Sequence, residues 1–492
     1  MGATTEPGGG SGGMAANGAD PAATSLARMV LPGLALYFLA QTLLRTLLGG
    51  TFEPDEAELV LLSQGFHLAI GSQPPLYEWG QTIFFRLFGT NTFALIAHKN
   101  LWLFGAYAFA YAGLRRVAPP GQAAVAALSL LFLPNLAWEA QRSNSHTAAM
   151  ATMVMATAWA FLRLDRGRLA DWLIFGLVMG LGGLSKANYW AAPAALILAG
   201  LILPDWRARL ADRRLALAVA VAVAVCAPSY GVMLAHPQVT FSDTWEFAKG
   251  GRLLPGPAFL TGLLRLVAEL AAAAALPALI LGVALAIARR RPRLAPGARI
   301  LLLAAAVAAG LAAVAVILGN VAFVRARWLM PVLLLAVPGA TLCVLAAAPR
   351  LARGLAVTTG VLAILLLAGI ADLRLRGAGS DSLRIDVLAE VIAAGQDPVP
   401  PIAGPHYYTG NLALVRPDWT YLPPYQTQAL AGAGEVLLVG IPNRPEALAR
   451  AIAEHGHTGG FRVLSATEAT LPYRFEADET RAVGLIRLEL LP

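Results

Sequence analysis

The sequence predicts a helical membrane protein that carries a small α/β domain at its C-terminal end. Hydrophobic residues make up 57% of the 492 residues and charged residues only 13%, against roughly 25% charged in soluble domains. Apolar runs long enough to cross a bilayer recur through residues 26–372. From residue 373 to 492 the composition becomes richer in Asp, Glu, His, Pro and Tyr.

The first predicted element is a disordered tail over residues 1–25. Its sequence is dominated by Gly, Ala, Ser and Pro and has too little apolar surface to offset the entropy lost on ordering. The apolar run that follows is too long and too poorly flanked for a cleaved signal peptide. We therefore expect a cytoplasmic tail and an uncleaved first transmembrane helix.

A membrane domain is predicted over residues 26–372. Scanning for apolar windows of about 20 residues predicts about eleven transmembrane helices. Their approximate limits are Met29–Leu48, Thr92–Leu114, Gln122–Trp138, Thr147–Leu164, Trp172–Leu184, Trp190–Leu203, Leu215–Leu234, Phe259–Ala288, Ile300–Gly319, Trp328–Ala348 and Leu351–Ile370.

Arginine residues cluster in alternate loops between these segments, at 115–116, 163–168, 207–214, 289–299 and 350–353. Short cytoplasmic loops carry the excess of Lys and Arg in membrane proteins. The predicted orientation therefore places the N-terminus and these loops in the cytoplasm. It places the loop at 51–91 and the chain after residue 373 on the outer side of the membrane.

The first outer loop carries apolar residues, among them Leu59, Leu62, Phe66 and Leu68, interleaved with polar ones. This pattern is typical of helices that lie in the plane of the membrane interface. We predict such helices in this loop.

The same loop gathers five carboxylates: Glu53, Asp55, Glu56, Glu58 and Glu78. One interpretation is structural, because Pro at the first turn followed by acidic residues at the positive end of the dipole begins a helix. The other is that Asp55 is a general base or an anchor for a polar acceptor at the membrane surface. The two interpretations are compatible, since a helix N-terminus is a rigid mount.

The tail over residues 373–492 is predicted to be a small α/β domain outside the membrane. The stretches "EVLLVGI" and "AVGLIRLELL" indicate strands. Between them, "PEALARAIAEHG" indicates an amphipathic helix that ends at Gly456.

Three stretches resemble a known family in their order along the chain: "PDEAELVLLSQGFHLAIGSQPPLYEWGQTIFFRLFG", "GLGGLSKANYW" and "RARWLMP". They resemble the dolichyl-phosphate-mannose protein mannosyltransferase superfamily, whose members have the GT-C fold. Its bacterial branch includes the aminoarabinose and galacturonic acid transferases of lipid A. The resemblance is specific for the superfamily but not for the sugar or the acceptor.

The resemblance implies transfer of one sugar from a polyprenyl (undecaprenyl) phosphate donor to a lipid, glycan or protein acceptor, with inversion. It favours an acceptor of the lipid A type. Asp55 matches the catalytic aspartate of the family and Glu56 its neighbour, while Gln73 and Pro74 match the turn that shapes the donor pocket. A direct displacement at the anomeric carbon needs a base opposite the leaving phosphate, and an exposed aspartate is ionised at neutral pH.

The leaving phosphate also needs cations near it, and the charge rule disfavours Lys and Arg on the outer side. Lys186 and Tyr189 lie in the family's "LSK" region, and Arg325 and Arg327 lie in "VRARW", where we expect one face of an extended segment. We predict that all four residues bind substrate. The alternatives are a snorkelling lysine for Lys186 and simple surface charge for the arginine pair.

The stretch "WEAQRSNSHTAA" stands where members of the aminoarabinose-transferase type often show "TPD", so their second aspartate is absent. Glu139, Arg142, Asn144 and His146 are the polar side chains near that place, and Glu78 of the first outer loop is comparable. We predict substrate contacts for Glu78, Glu139, Arg142 and His146, with a hydrogen-bonded structural cluster as the alternative.

No cofactor is predicted, because HExxH, paired CxxC and GxxxxGK[ST] motifs are absent from the sequence. The turn that reads "EKP" in family members with a divalent ion reads "SQP" here, so we assign no metal and keep a divalent cation as the open alternative. Arg residues are spread between apolar runs rather than clustered on a soluble basic face, which excludes nucleic acid as a partner. The predicted partners are the lipid-linked donor, the acceptor and membrane lipids.

Two other classes of protein compete with a glycosyltransferase. A transporter or flippase of lipid-linked sugars would show related repeats and ionisable residues at mid-membrane. A glycan ligase or polymerase would carry its long catalytic loop late in the chain, whereas here the acidic loop comes first.

The predicted location is the bacterial inner membrane, with the active site facing the periplasm.

Overall fold

A computed structural model describes residues 21–69, 71–248, 251, 253–395, 398–422, 430, 433–476 and 478–491. Most of the tail predicted to be disordered, residues 1–20, lies outside these ranges. The described chain forms a large helical domain and a small C-terminal domain built on a sheet.

Sixteen helices build the first part of the described chain. They are α1 Pro21–Leu48, α2 Pro54–Leu62, α3 Leu76–Phe88, α4 Thr92–Leu114, α5 Pro120–Leu128, α6 Ala140–Arg142, α7 Ser145–Leu162, α8 Leu169–Gly183, α9 Ala191–Ile202, α10 Pro204–Leu210, α11 Arg214–Ala235, α12 Pro237–Thr240, α13 Ala258–Ala288, α14 Pro296–Leu318, α15 Met330–Ala347 and α16 Leu351–Leu375. Helices α2 and α3 occupy the first outer loop, where helices were predicted.

Each of the eleven predicted transmembrane segments is largely helical in the structure. By length and composition, seven helices of the described residues can cross a membrane, or nine if each of two bent helix pairs counts as one span. The first pair bends by 75° after Phe132 and the second by 113° after Ile202. The chain is a multi-pass membrane protein, and the count of eleven spans stays a prediction.

Helix α7 lies at the centre of the bundle. In its apolar window 89% of the residues are buried, against 17% in the window of α16, which lies at the periphery. Small residues allow neighbouring helices to approach closely, as is typical in membranes. A Cβ atom added to Gly176 of α8, for example, would lie 2.4 Å from the carbonyl oxygen of Ala218 in α11.

The arginine-bearing loops meet at one end of this bundle. Arg116 forms an ion pair with Asp165 at 2.6 Å, and the Arg214 side chain donates to the carbonyl oxygen of Gly167. The shared end agrees with the predicted alternation of loops. The compartment that it faces stays a prediction.

The C-terminal domain contains a four-stranded sheet and three helices. Its elements are α17 Ile385–Gly395, β1 Ile402–Ala403, α18 His406–Val415, β2 Glu435–Val439, α19 Pro445–Glu454, β3 Phe461–Pro472 and β4 Thr480–Leu490. The strand order is β1-β2-β4-β3; β1 and β2 are parallel, and the other pairs are antiparallel. The predicted strands correspond to β2 and β4 and the predicted helix to α19, whereas β1 and β3 were not predicted.

Strand β2 is apolar because both of its faces are covered. Leu437 and Val439 pack with α17 and α18, while Val436 and Leu438 pack with α19 on the opposite face. A strand buried on both sides has a continuous apolar run instead of an alternating one.

The domain limits at residues 25 and 372 remain predictions, and α16 continues to Leu375.

The C-terminal domain is docked on the first outer loop through α18 and α2. The Asn411 side chain accepts a hydrogen bond from the Phe52 backbone N–H at 2.7 Å. It also donates one to the Phe52 carbonyl oxygen at 3.0 Å. Gly410 packs so closely that a Cβ atom there would lie 2.0 Å from the Ala57 carbonyl oxygen. The buried Arg374 donates to the carbonyl oxygens of Gly49 and Thr51. The two domains therefore jointly fix the segment that carries the carboxylates.

Candidate active site

The carboxylates of the first outer loop surround the first turns of α2. Pro54 occupies the first helical position, and Asp55 and Glu56 lie in the first turn, at the positive end of the helix dipole. The structural interpretation of "PDEAE" as a helix start is therefore confirmed. Each carboxylate of this group has a different partner, and those partners separate their roles.

Glu56 lies at the centre of a buried ion triad. Its two oxygens contact Arg45 of α1 at 3.0 Å and Lys99 of α4 at 2.6 Å, and all three side chains are at most 1% exposed. Burial alone would raise the pKa of Glu56, but the charges of Lys99, Arg45 and Arg374 outweigh it and hold the pKa below its usual value. The predicted substrate contact of Glu56 does not fit this position, because the carboxylate ties α2 to two membrane helices.

Asp55 points instead at the beginning of α7. Its Oδ2 atom accepts a hydrogen bond from the backbone N–H of Asn144 at 3.0 Å. Asn144 has a left-handed backbone, with φ of 57°, a conformation that Asn adopts more readily than most residues. One oxygen of the half-buried Asp55 is thereby fixed, and the other has no hydrogen-bond partner among the described residues.

Two predicted cations contact the same turn, residues 144–147, called here the α7 entry turn. Arg327 Nη1 donates to the side-chain oxygen of Asn144 at 3.0 Å. Lys186 Nζ donates to the hydroxyl of Thr147 at 2.9 Å. The entry turn therefore holds a carboxylate, a guanidinium and an ammonium group together, at the positive end of a buried helix.

Glu78 and His146 form a second contact at this turn. Glu78 Oε1 lies 3.4 Å from His146 Nε2, and Glu78 Oε2 is buried without a hydrogen-bond partner among the described residues. Burial raises the pKa of Glu78 well above its usual value. Burial therefore disfavours the charged form of Glu78, and we describe its approach to His146 as a polar contact instead of an ion pair.

The remaining two carboxylates link α2 to other elements. Glu53 contacts Arg142 Nη2 at 3.3 Å and accepts from the Ser380 hydroxyl at 2.9 Å. Glu58 lies 3.4 Å from His406 of α18. Burial lowers the pKa of His406 to about 4, so at neutral pH this contact joins a carboxylate to an uncharged imidazole.

The predicted donor-pocket turn lies beside the "LSK" turn. Pro74 is buried and Gln73 is half-buried, with its side chain 3.4 Å from the Ser72 hydroxyl. Just after them, the Leu76 backbone N–H donates to the Leu184 carbonyl oxygen at 2.9 Å. This bond brings the turn next to the segment that carries Lys186.

The structure places two other predicted residues, Tyr189 and Arg325, differently. Tyr189 is fully buried and its hydroxyl contacts Thr157, so it supports the "LSK" turn from the core and the predicted substrate contact does not fit. Arg325 is extended but Arg327 lies in a 3₁₀ turn, so the expected shared face of an extended segment is wrong; Arg325 instead lies over Phe323, 5.3 Å from the ring centre.

Glu139 lies half-buried in a π-helical turn, Asn135–Glu139, that precedes Arg142. Its side chain makes no hydrogen bond or ion pair with the described residues. Across those same residues, no group of three or more His, Cys, Asp or Glu side chains converges as metal ligands would.

Sequence reasoning named Asn144 only as a polar residue near the site, and it missed the roles of Arg45 and Asn411 in organising the site. The left-handed conformation of Asn144 leaves no local signal. Lys99 did leave one, because a lysine within an apolar span needs a partner, and Glu56 is that partner. Asn411 acts across the domain boundary, on a segment 359 positions earlier in the chain.

Comparisons with known proteins show to which family the chain is similar. Residues 72–231 match the family described as dolichyl-phosphate-mannose-protein mannosyltransferase. The chain is 30% identical over 470 residues to the lipopolysaccharide core galacturonosyltransferase RgtA of Rhizobium johnstonii, which covers 91% of this chain and 90% of that protein. It is 36% identical over 198 residues to RgtB of the same organism, described in the same words, over 40% of each chain.

Two solved structures share the fold. The apo structure of ArnT from Cupriavidus metallidurans is 16% identical, with a TM-score of 0.58 over 95% of this chain and 98% of that one. The same protein bound to undecaprenyl phosphate is 17% identical, with a TM-score of 0.60 and the same coverage. At these identities the structural likeness supports the fold alone.

Proposed function

The chain belongs to the dolichyl-phosphate-mannose protein mannosyltransferase superfamily of GT-C glycosyltransferases, and from that premise we propose that it transfers one galacturonic acid residue from a polyprenyl phosphate to lipopolysaccharide. The coarser part, a sugar transferase with a lipid-linked donor, follows from the relatives. The proposed acceptor is the core or lipid A part of lipopolysaccharide. The proposed place is the periplasmic face of a bacterial inner membrane.

The observation that carries the proposal is the convergence of Asp55, Lys186 and Arg327 on the α7 entry turn. A sugar phosphate ester needs a base on one side of the anomeric carbon and cations on the other. The entry turn brings both kinds of group to one end of a central helix. Its N-terminal N–H groups add a further positive potential for an anion.

The proposed reaction is a single displacement. Asp55 accepts the proton of the acceptor hydroxyl, whose oxygen forms the new bond to the anomeric carbon. The bond from that carbon to the phosphate oxygen breaks, and its electron pair leaves with the polyprenyl phosphate. Lys186 and Arg327 stabilise the charge that develops on the phosphate. This geometry gives inversion, as expected for the family.

The Asn144 N–H has a defined part in this scheme. It holds one oxygen of Asp55 and leaves the second to meet the acceptor. A base must lie within hydrogen-bond reach of the proton that it removes. The fixed carboxylate therefore supplies orientation as well as charge.

The proposal is tested with purified enzyme in nanodiscs, given undecaprenyl phosphate galacturonic acid and either lipid A or lipopolysaccharide core as acceptor. Asp55→Asn can still accept the Asn144 N–H bond but has no basic oxygen, so we expect transfer to fall by about 10²-fold or more. Because only a helix-dipole interaction is lost, stability should change by about 1 kcal/mol or less. Glu58→Gln, one helical turn further on, is the matched control and should keep its rate.

The outcomes separate the parts of the proposal. Transfer to neither acceptor by the parent enzyme would refute the proposed function. Transfer at the parental rate by Asp55→Asn would remove Asp55 from the role of base and leave the acceptor assignment standing.

A further inference from the structure

Arg142 lies next to the proposed reacting groups and has few hydrogen-bond partners among the described residues. A guanidinium carries five N–H donors, yet the hydrogen bonds of Arg142 within the described residues amount to one contact, from Nη2 to Glu53 at 3.3 Å. Its Nε atom is buried without a partner there. The group also lies over the Trp138 ring, 5.9 Å from the ring centre, and its side chain is 31% exposed. It is therefore held in place on one face and accessible on the other.

The position of Arg142 relative to Asp55 follows from a matched pair of contacts. Glu53 contacts Arg142, and two residues further along each segment Asp55 accepts from Asn144. Both pairs are separated by 89 positions, so the two segments run side by side in register. Two residues of chain span at most about 7 Å, so the two contacts lie no further apart along each segment than about the size of one sugar ring.

The cations of the site thus form two groups. Lys186 and Arg327 contact Thr147 and Asn144 of the α7 entry turn, whereas Arg142 comes before that turn in the chain and contacts Glu53. A donor whose sugar is neutral has one anionic group, the phosphate. A donor whose sugar is a uronic acid has two, at different ends of the ring.

We propose that Arg142 binds the carboxylate of an acidic sugar in the donor and so makes the enzyme selective for uronic acids. The inference rests on the proposed function and adds to it the residue that reads the sugar. A guanidinium with free donors on adjacent nitrogens can take a carboxylate by two parallel hydrogen bonds, an arrangement that lysine cannot reproduce. Glu53 and Trp138 hold the guanidinium plane while the sugar binds.

The experiment compares two donors that differ only at this group, undecaprenyl phosphate galacturonic acid and undecaprenyl phosphate galactose. For the acidic donor, kcat/KM of Arg142→Gln should fall by about 10²-fold, as expected when two hydrogen bonds to a charged group are lost. For the neutral donor the same variant should change by less than about threefold, since no such bonds exist. Arg142→Lys keeps the charge and should lose part of the preference.

Arg416→Gln is the matched control, because Arg416 is an exposed arginine that pairs with its neighbour Asp418. Thermal melts of all variants check folding, and Arg142→Lys keeps the comparison usable if Arg142→Gln unfolds. An equal loss for both donors, or an unchanged preference for the acidic one, would overturn this inference alone. Transfer of neither sugar by the parent would overturn the proposed function and this inference with it.

Discussion

Replacing Glu56 by Gln removes the charge at the centre of the buried triad and nearly nothing else. The two charge pairs measure 3.0 and 2.6 Å, and each is worth about 5 to 6 kcal/mol of attraction at an effective dielectric constant of 20. Desolvation of the ions opposes most of that attraction. Measured losses on breaking a buried pair are about 3 to 5 kcal/mol, because a charge is left buried without compensation.

We therefore expect Glu56→Gln to melt about 6 to 10 °C below the parent, at about 2 °C for each kcal/mol in a chain of this size. The assay is a thermal melt in nanodiscs at neutral pH. Glu58→Gln is the control, because Glu58 is 32% exposed and its contact with His406 is not a buried charge pair, and it should melt within about 2 °C of the parent.

The pH dependence of this loss has a defined sign. The pKa of Glu56 is lower in the folded protein than in the unfolded chain, so its contribution is complete above the unfolded value of about 4.3. The contribution disappears as the pH falls through the folded pKa, and the two melting curves should converge there. A Glu56→Gln enzyme that melts like the parent but transfers no sugar would refute the triad as the role of Glu56.

Further variants separate orientation, charge and docking at the site. Asn144→Gly allows the left-handed backbone and keeps the N–H bond to Asp55, so its transfer rate should exceed that of Asn144→Ala by about tenfold; equal rates would contradict the positioning role. Lys186→Met should lower kcat by about 10²-fold with little change in melting temperature, and a parental kcat would return Lys186 to a snorkelling role. Because burial raises its pKa, Glu78 costs stability as the pH rises above the unfolded value; Glu78→Gln should therefore melt at or above the parent at pH 8, and a lower melt would contradict the raised pKa. The His406 pKa of about 4 means that domain docking loses stability as the pH falls from about 6.5 to 4. His406→Gln should weaken this pH dependence in protease-cleavage assays, and an unchanged pH dependence would assign it to another group.

The membrane helices were predictable because the bilayer fixes how long an apolar run must be. Helix α4 begins and ends at Thr92 and Leu114, the limits read from the sequence. The bent segments were harder, since a change of direction after Phe132 leaves composition almost unchanged. Strand β3 was missed because most of its side chains are exposed on both faces, so it shows no alternation.

At the site, the sequence indicated which residue types gather but not how they pair. Five carboxylates near a helix start were visible in the sequence, and so were the cations of later loops. Glu56 and Asp55 are adjacent, yet one turns into the bundle and the other toward the α7 entry turn. Which of the two residues faces the bundle depends on how the first helical turn packs. Lys99, 43 positions away in the chain, fixes this packing through its bond to Glu56.

The bond between Asn411 and Phe52 joins parts of the chain that are 359 positions apart, and this separation sets the order of events during synthesis. Translation at about 5 to 20 residues per second needs roughly 20 to 70 seconds to cover that distance. During this interval the loop that carries the carboxylates has been made, but α18, the helix that packs on it, has not. The carboxylate loop therefore acquires its docked arrangement only after the last domain has been made and has packed against it, and a ribosome that stalls before this point leaves a chain whose loop lacks that contact.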